Sequence, residues 1–201
     1  MQPSDFNNLF IREVANKVRE SQNLMFMLAL TAEKNDKSGT INESGRRAMG
    51  WPAHITNWYQ YRKMWNVDYN RLYHMCLISH CSELEFFFKV LFDKYPHLPE
   101  QKNNFYQKFG MVIKELEASG IDFTSVQADI NQIKIAFQVR HIGIHNMSIV
   151  DEEFQRNTNG LGASGTPGQP YVVDQALVRK TSEATNKVLK HLDVNLPPLP
   201  A

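Results

Sequence analysis

Residues 72–92 read LYHMCLISHCSELEFFFKVLF, and the reading of this run decides the fold. Leu72, Met75, Ile78 (or Ser79) and Ser82, then Phe86 and Leu91, fall at helical steps, and apolar residues occupy nearly every other side of the same helix. A helix that is apolar all round belongs inside a core, not on its surface. Other amphipathic helices must pack around it. No alternating apolar–polar run of any length and no internal repeat occurs in the chain, so nothing predicts a sheet. The expected class is all-α, a five- to six-helix bundle with two polar loops.

Working outward, the helical pattern that holds this run begins after Pro52 and stops at Tyr95, before Pro96. It is one helix, or two broken at Asn66-Val67-Asp68. Upstream, Phe6, Phe10, Val14, Val18, Met25, Leu28 and Ala32 predict a long amphipathic helix, interrupted near Ser21 and capped by Ser4 or Asp5. Residues 35–52, NDKSGTINESGRRAMGWP, read as loop. Downstream, Phe105, Phe109, Val112 and Leu116 mark a helix closed by Ser119-Gly120, with glycine just past the end. Asp122 or Thr124 caps the next helix, through Ile130, Ile133 and Phe137. Residues 157–170, NTNGLGASGTPGQP, form a second flexible loop, after which Asp174 caps a helix with Leu177, Ala184, Val188 and Leu192 on one face. Residues 195–201 are a tail whose LPPLPA cannot continue a helix and reads as a frayed terminus.

The totals suit one domain over residues 1–201. Hydrophobic residues make up 42 %, with twelve phenylalanines, enough for a core. The formal charge is +1, from 22 basic and 21 acidic residues, which lacks the basic excess of a dedicated nucleic-acid binder. Cys76 and Cys81 are five residues apart, which turns their side chains roughly 140° from each other on a helix and argues against a bridge. A reducing, cytoplasmic setting is the default expectation. The apolar stretch Leu24–Leu30 is shorter than the roughly 20 residues a membrane span needs, and it starts too late for a signal peptide. No membrane association is expected.

Arg140-His141-Ile142-Gly143-Ile144-His145-Asn146, RHIGIHN, ends the helix that begins near residue 124. His141 and His145 have the spacing of two zinc ligands on one helix face. The zincin glutamate is missing, and further ligands would have to come from His74, His80, Cys76 or Cys81, which stand in no recognised spacing. No metal and no cofactor is expected. No nucleophile elbow, phosphate-binding glycine loop or dinucleotide fingerprint occurs. On a helical wheel His141 lies within roughly 40° of Ile130 and Phe137, at the border of the apolar face, with His145 a little further round. Arg140 lies at the opposite border, where burying a guanidinium without a partner is costly. Gly143 costs the helix about 1 kcal/mol relative to Ala. The cluster fits an anion site better than a core. Its groups match RNA cleavage through the 2′-hydroxyl, which needs a base, an acid and a cation for the phosphate. Histidine supplies acid or base near neutrality, and arginine supplies a charged fork.

At these residues the chain resembles the HEPN domains, whose signature is Arg, four to six residues, then His. Arg140-His141-Ile142-Gly143-Ile144-His145 fits that spacing, and RHIGIHNMSIVDEEFQR continues as such domains do into a loop and a final helix. SELEFFFKVLF resembles their facing helix and places Glu85 in the position of its polar helper residue. The resemblance spans roughly residues 70–192 and implies a HEPN-type bundle. It implies a metal-independent endoribonuclease of toxin–antitoxin, abortive-infection or other defence systems, working on RNA at a homodimer cleft, with an antitoxin protein as a further partner. It also implies the roles. Arg140 would stabilise the phosphate, His145 act as acid–base or orienting group, His141 support it, Glu85 hold Arg140 or the histidines, and Asn146 donate a hydrogen bond. The alternative is a non-catalytic helical module that binds a partner protein or nucleotide, which the lack of a clear basic surface favours.

Overall fold

The computed structural model describes residues 6–99, 101–102 and 104–197. Among them are eight α-helices: α1 (Leu9–Asn35), α2 (Glu43–Ala48), α3 (Trp58–Met64), α4 (Tyr69–Lys94), α5 (Phe109–Ala118), α6 (Gln127–His145), α7 (Glu152–Thr158) and α8 (Gln175–Asn195). There are no strands among the described residues, only isolated bridges between Thr40 and Asn57 and between Ile149 and Pro170. The all-α expectation holds. Five of the helices are long, and the count exceeds the expected five or six because α2, α3 and α7 are pieces of one or two turns.

The 72–92 run is the centre, but the stripe read along it is not its buried face: Leu72, Met75, Ser82 and Phe86 are exposed, and of the named residues only Leu91 is fully buried. Leu77, Cys81, Leu84, Phe87, Phe88 and Leu91 of α4 are buried, and α1, α6 and α8 pack around it. Phe88 meets Phe109 of α5, and Phe109 stacks on Phe137 of α6 with ring centroids 5.3 Å apart. A single hydrophobic cluster joins these helices. The pattern after Pro52 does break into two helices, between Met64 and Tyr69, where Asn66 adopts a left-handed φ of 49°.

Several boundaries differ from expectation. Ser4 and Asp5 lie outside the described residues, and α1 is capped by Asn8, whose side chain accepts from the backbone of Phe10 and Ile11. The carboxylate of Asp193 on α8 accepts from Asn7 N and Asn8 N, which places a negative charge at the positive end of α1. The helix is unbroken through Ser21. Its buried face is Ile11, Ala15, Val18 and Ala29; of the expected stripe Phe6 and Val18 are buried, Phe10, Val14 and Met25 are half-buried, and Leu28 and Ala32 are exposed. Leu24 and Met27 are exposed too, and with apolar residues on both borders the sequence alone admitted either stripe. Residues 35–52 are not all loop, because Asn42 caps α2 by accepting from Gly45 N. The 157–170 stretch starts inside α7, which Asp151 caps by accepting from Phe154 N. Asp174 caps α8 by accepting from Leu177 N. The tail is anchored at its start, not frayed: Leu196 is buried, and Pro197 O accepts a hydrogen bond from Tyr95. Residues 198–201 lie outside the described residues.

Among the described residues no helix is long and apolar enough to cross a membrane.

Candidate functional site

RHIGIHN forms the last two turns of α6, and buried His74 of α4 sets its position. His74 Nε2 donates to Val139 O at 2.9 Å, and Nδ1 meets Ser148 Oγ at 3.0 Å. The imidazole lies so close to Gly143 that a Cβ there would stand 2.7 Å from its Cδ2 and closer still to Nε2. Gly143 is therefore required by packing, which outweighs its unfavourable helix propensity. Burial lowers the pKa of His74, an effect that the bond to Val139 partly opposes. Beyond the helix, Asn146 N and Ser148 N both donate to Ile142 O, while Met147 and Ser148 take positive φ values of 49° and 68°. The turn thus closes α6 without the glycine such ends usually use.

The four side chains around this turn separate by role. Arg140 is mostly buried, with its side chain 17 % exposed, and its NH2 group donates to Glu85 Oε2 of α4 at 3.0 Å. Arg140 Nε is buried without a hydrogen-bond partner among the described residues. His141 and His145 are exposed, not tucked into the border of the apolar face, and their ring centroids lie 4.9 Å apart. His74, from the other helix, fills the buried place. Asn146 points away: its amide donates to Ile149 O at 2.8 Å and Asp151 Oδ2 at 3.3 Å, securing the turn into α7.

Arg140, His141 and His145 line one groove of about 880 Å³ between α5, α6 and α7. Its walls also carry Lys108, Lys114 and Lys134, with Glu153 as the one carboxylate lining it among the described residues. Phe137 and Ile144 give it apolar floor, and Gln138 of its wall accepts from Asn157 Nδ2 at 3.1 Å. A chain of net charge +1 therefore holds a locally basic groove. The three lysines escaped the sequence reading, yet a pattern was there: Lys134, Gln138, His141 and His145 stand four, three and four apart, one polar face of a helix. Glu85 lies just outside the groove, in a shallower depression with Phe86, Lys89 and Tyr106, and Gln107 borders both.

The remaining candidates are placed elsewhere. Burial pushes the Cys81 thiol up to about 12, against the opposing pull of Arg140, so it stays protonated and is a poor nucleophile. Cys76 and Cys81 are buried free thiols. His80 is fully buried, with Nε2 2.8 Å from Thr185 Oγ1. Among the described residues no three His, Cys, Asp or Glu side chains are grouped to hold a metal ion. Set beside known proteins, the chain matches no family model, no curated protein and no solved structure.

Proposed function

We propose that this chain is a metal-independent endoribonuclease of HEPN type. The observation that carries the reading is Arg140, held by Glu85 from just outside, on the wall of a basic groove that His141 and His145 also line. The groove offers what 2′-hydroxyl chemistry needs. An imidazole removes the 2′ proton, and the 2′ oxygen attacks phosphorus. The 5′ oxygen leaves with a proton from an imidazolium, giving a 2′,3′-cyclic phosphate and a 5′-hydroxyl. Arg140 stabilises the charge that grows on the phosphate, and Glu85 holds its guanidinium in place.

The two imidazoles of one chain touch each other. Rings in contact leave no room for a phosphate between them, whereas in-line displacement puts the attacking and leaving oxygens on opposite sides. A second copy supplies the opposing set in this reading, as a homodimer with the groove at its centre. Phe86, exposed beside Glu85, and Ile144, exposed between the histidines, provide apolar surface for that contact. A cytoplasmic defence role held in check by an antitoxin protein is the biological form of the proposal.

Purified protein is expected to cut RNA in EDTA, leaving cyclic-phosphate ends, and Arg140→Ala or His145→Ala is expected to abolish cutting in a folded chain. Cleavage that needs added divalent metal overturns the mechanism. One observation favours the non-catalytic alternative: the charge of Arg140 is already matched by Glu85, as in a structural ion pair. In that case no RNA is cut under any condition, and Arg140→Ala unfolds the chain or loses a partner.

A further inference from the structure

All three tryptophans of the chain, Trp51, Trp58 and Trp65, fall within residues 36–67, between α1 and α4. Of this segment only Asp36 and Ile55 are buried, and neither belongs to the main hydrophobic cluster. Its aromatic rings are therefore not core. Trp51 lies 4.3 Å from Tyr61 and 6.1 Å from Trp58 between ring centroids, and Trp58 lies 6.0 Å from Tyr61. The Trp58 ring packs edge-on against Gly39, where a Cβ would stand 2.6 Å from its Cδ1, yet the residue is 47 % exposed. Trp65 is more exposed still, at 60 %.

Charge follows the rings. The segment carries Lys37, Arg46, Arg47, Arg62 and Lys63 against Asp36 and Glu43, in a chain whose total is only +1. Glu43 pairs with Arg46 and Arg47, and Asp36 pairs with Arg62. Lys37 and Lys63 then have no carboxylate within ion-pair distance among the described residues, and both ammonium groups stand over the ring of Tyr59, at 5.5 and 5.7 Å. Two unmatched cations, one from the turn after α1 and one from α3, converge on the ring of Tyr59, the next residue in α3 after Trp58 of the ring cluster. Single-stranded nucleic acid has the complementary chemistry, with bases that stack on aromatic faces and phosphates that follow cations.

We propose that residues 36–67 form a platform for single-stranded RNA, separate from the α5–α6–α7 groove. The choice of RNA over DNA rests on the ribonuclease reading. The rings and the two lysines carry the rest. The platform stands at the end of the bundle where α6 finishes, because it leads into Tyr69 and His74 of α4, and His74 packs against Val139 and Gly143.

Because every tryptophan lies in this segment, tryptophan emission excited selectively over that of tyrosine comes from the platform alone. The test titrates full-length His145→Ala protein, which cannot cut, with an oligouridylate of about twelve nucleotides. Base stacking is expected to quench tryptophan emission. Lys37→Glu/Lys63→Glu is expected to weaken binding at least about tenfold and to flatten the log-affinity against log-salt slope by about 1.4. Trp65→Ala, which removes an exposed ring, is expected to reduce the quench, while Lys17→Glu on α1 leaves binding unchanged. Absence of binding, or binding with unaltered emission and no effect of the double reversal, overturns the platform. Cutting by the wild type in that event keeps the ribonuclease reading alive, and quenching without any cutting sinks that reading alone.

Discussion

Arg140 of α6 and Glu85 of α4 meet at 3.0 Å, 55 residues apart in sequence, with both side chains largely withdrawn from water. The pair does two things at once: it locks the end of α6 to the central helix, and it aims one guanidinium along the groove wall. The proposals for catalysis and for pure structure divide at this contact. Arg140→Lys keeps the charge and loses the fork. Catalysis is expected to fall by about 10² or more while the unfolding midpoint moves little. Glu85→Gln keeps an acceptor but removes the counter-charge, and is expected to lower the rate about tenfold for a loss of about 1 kcal/mol in stability. Equal loss of stability and activity in both variants would mark the pair as structural.

Gly143→Ala should destabilise the protein, although alanine improves an ordinary helix by about 1 kcal/mol. The new methyl meets a buried imidazole fixed at both nitrogens, so the ring cannot swing away. A loss of about 2 kcal/mol is expected by urea denaturation. In a His74→Ala background the clash disappears, and the same glycine substitution should become neutral or stabilising. If Gly143→Ala costs the same in both backgrounds, His74 is not the reason for the glycine.

How much of this was legible before the structure follows from what each residue's neighbours in sequence reveal. The central helix was legible because apolar residues lie on nearly every side of α4, although which face meets solvent was not, and Glu85 was set toward Arg140 or the histidines by resemblance alone. His74 was not legible: offered as a metal ligand, it instead clamps the end of α6, and only the packing of two distant helices shows that. The exposure of His141 and His145 follows from the same fact, since one buried imidazole already fills the seam. The basic groove was hidden because Lys108 and Lys114 belong to α5 and its cap while Lys134 belongs to α6, and whole-chain charge averages them away. Residues 35–52 read as loop because Gly, Ser and Asn dominate them, while the stretch after Pro52 read as the start of the helical pattern that runs to Tyr95, so Trp51 and Trp58 fell in different readings and nothing announced that their rings meet.

Lys114 and Lys134 face the groove from opposite walls, on α5 and α6. On the ribonuclease proposal their replacement by Gln is expected to leave the chemistry intact while raising KM, because they would meet RNA phosphates away from the reacting bond. The pair should also lower the salt slope of RNA binding by about 1.4, since each single-strand phosphate contact contributes about 0.7. A fall in kcat with unchanged KM would assign them to the reacting phosphate instead.

His80 gives the fold a pH dependence of definite sign. Full burial lowers its pKa to about 4, with Nδ1 unpartnered and Nε2 against Thr185. Above about pH 7.5 the imidazole is neutral in the folded chain and almost entirely so in the unfolded one, so it contributes little pH slope. Below about 6.5 the unfolded chain takes up a proton that the folded chain refuses until about pH 4, so stability falls as pH drops through that window. The loss reaches about 3 kcal/mol at its lower end. The pKa of His74 is shifted in the same direction and adds to the slope. Urea unfolding from about pH 7.5 down to about 4.5 measures the effect. His80→Gln keeps a hydrogen-bonding group for Thr185 but does not titrate. It should be less stable than wild type at neutral pH and show a clearly shallower decline on acidification. A decline as steep as that of wild type would mean that the acid sensitivity resides in other groups and that His80 tolerates its proton inside the core.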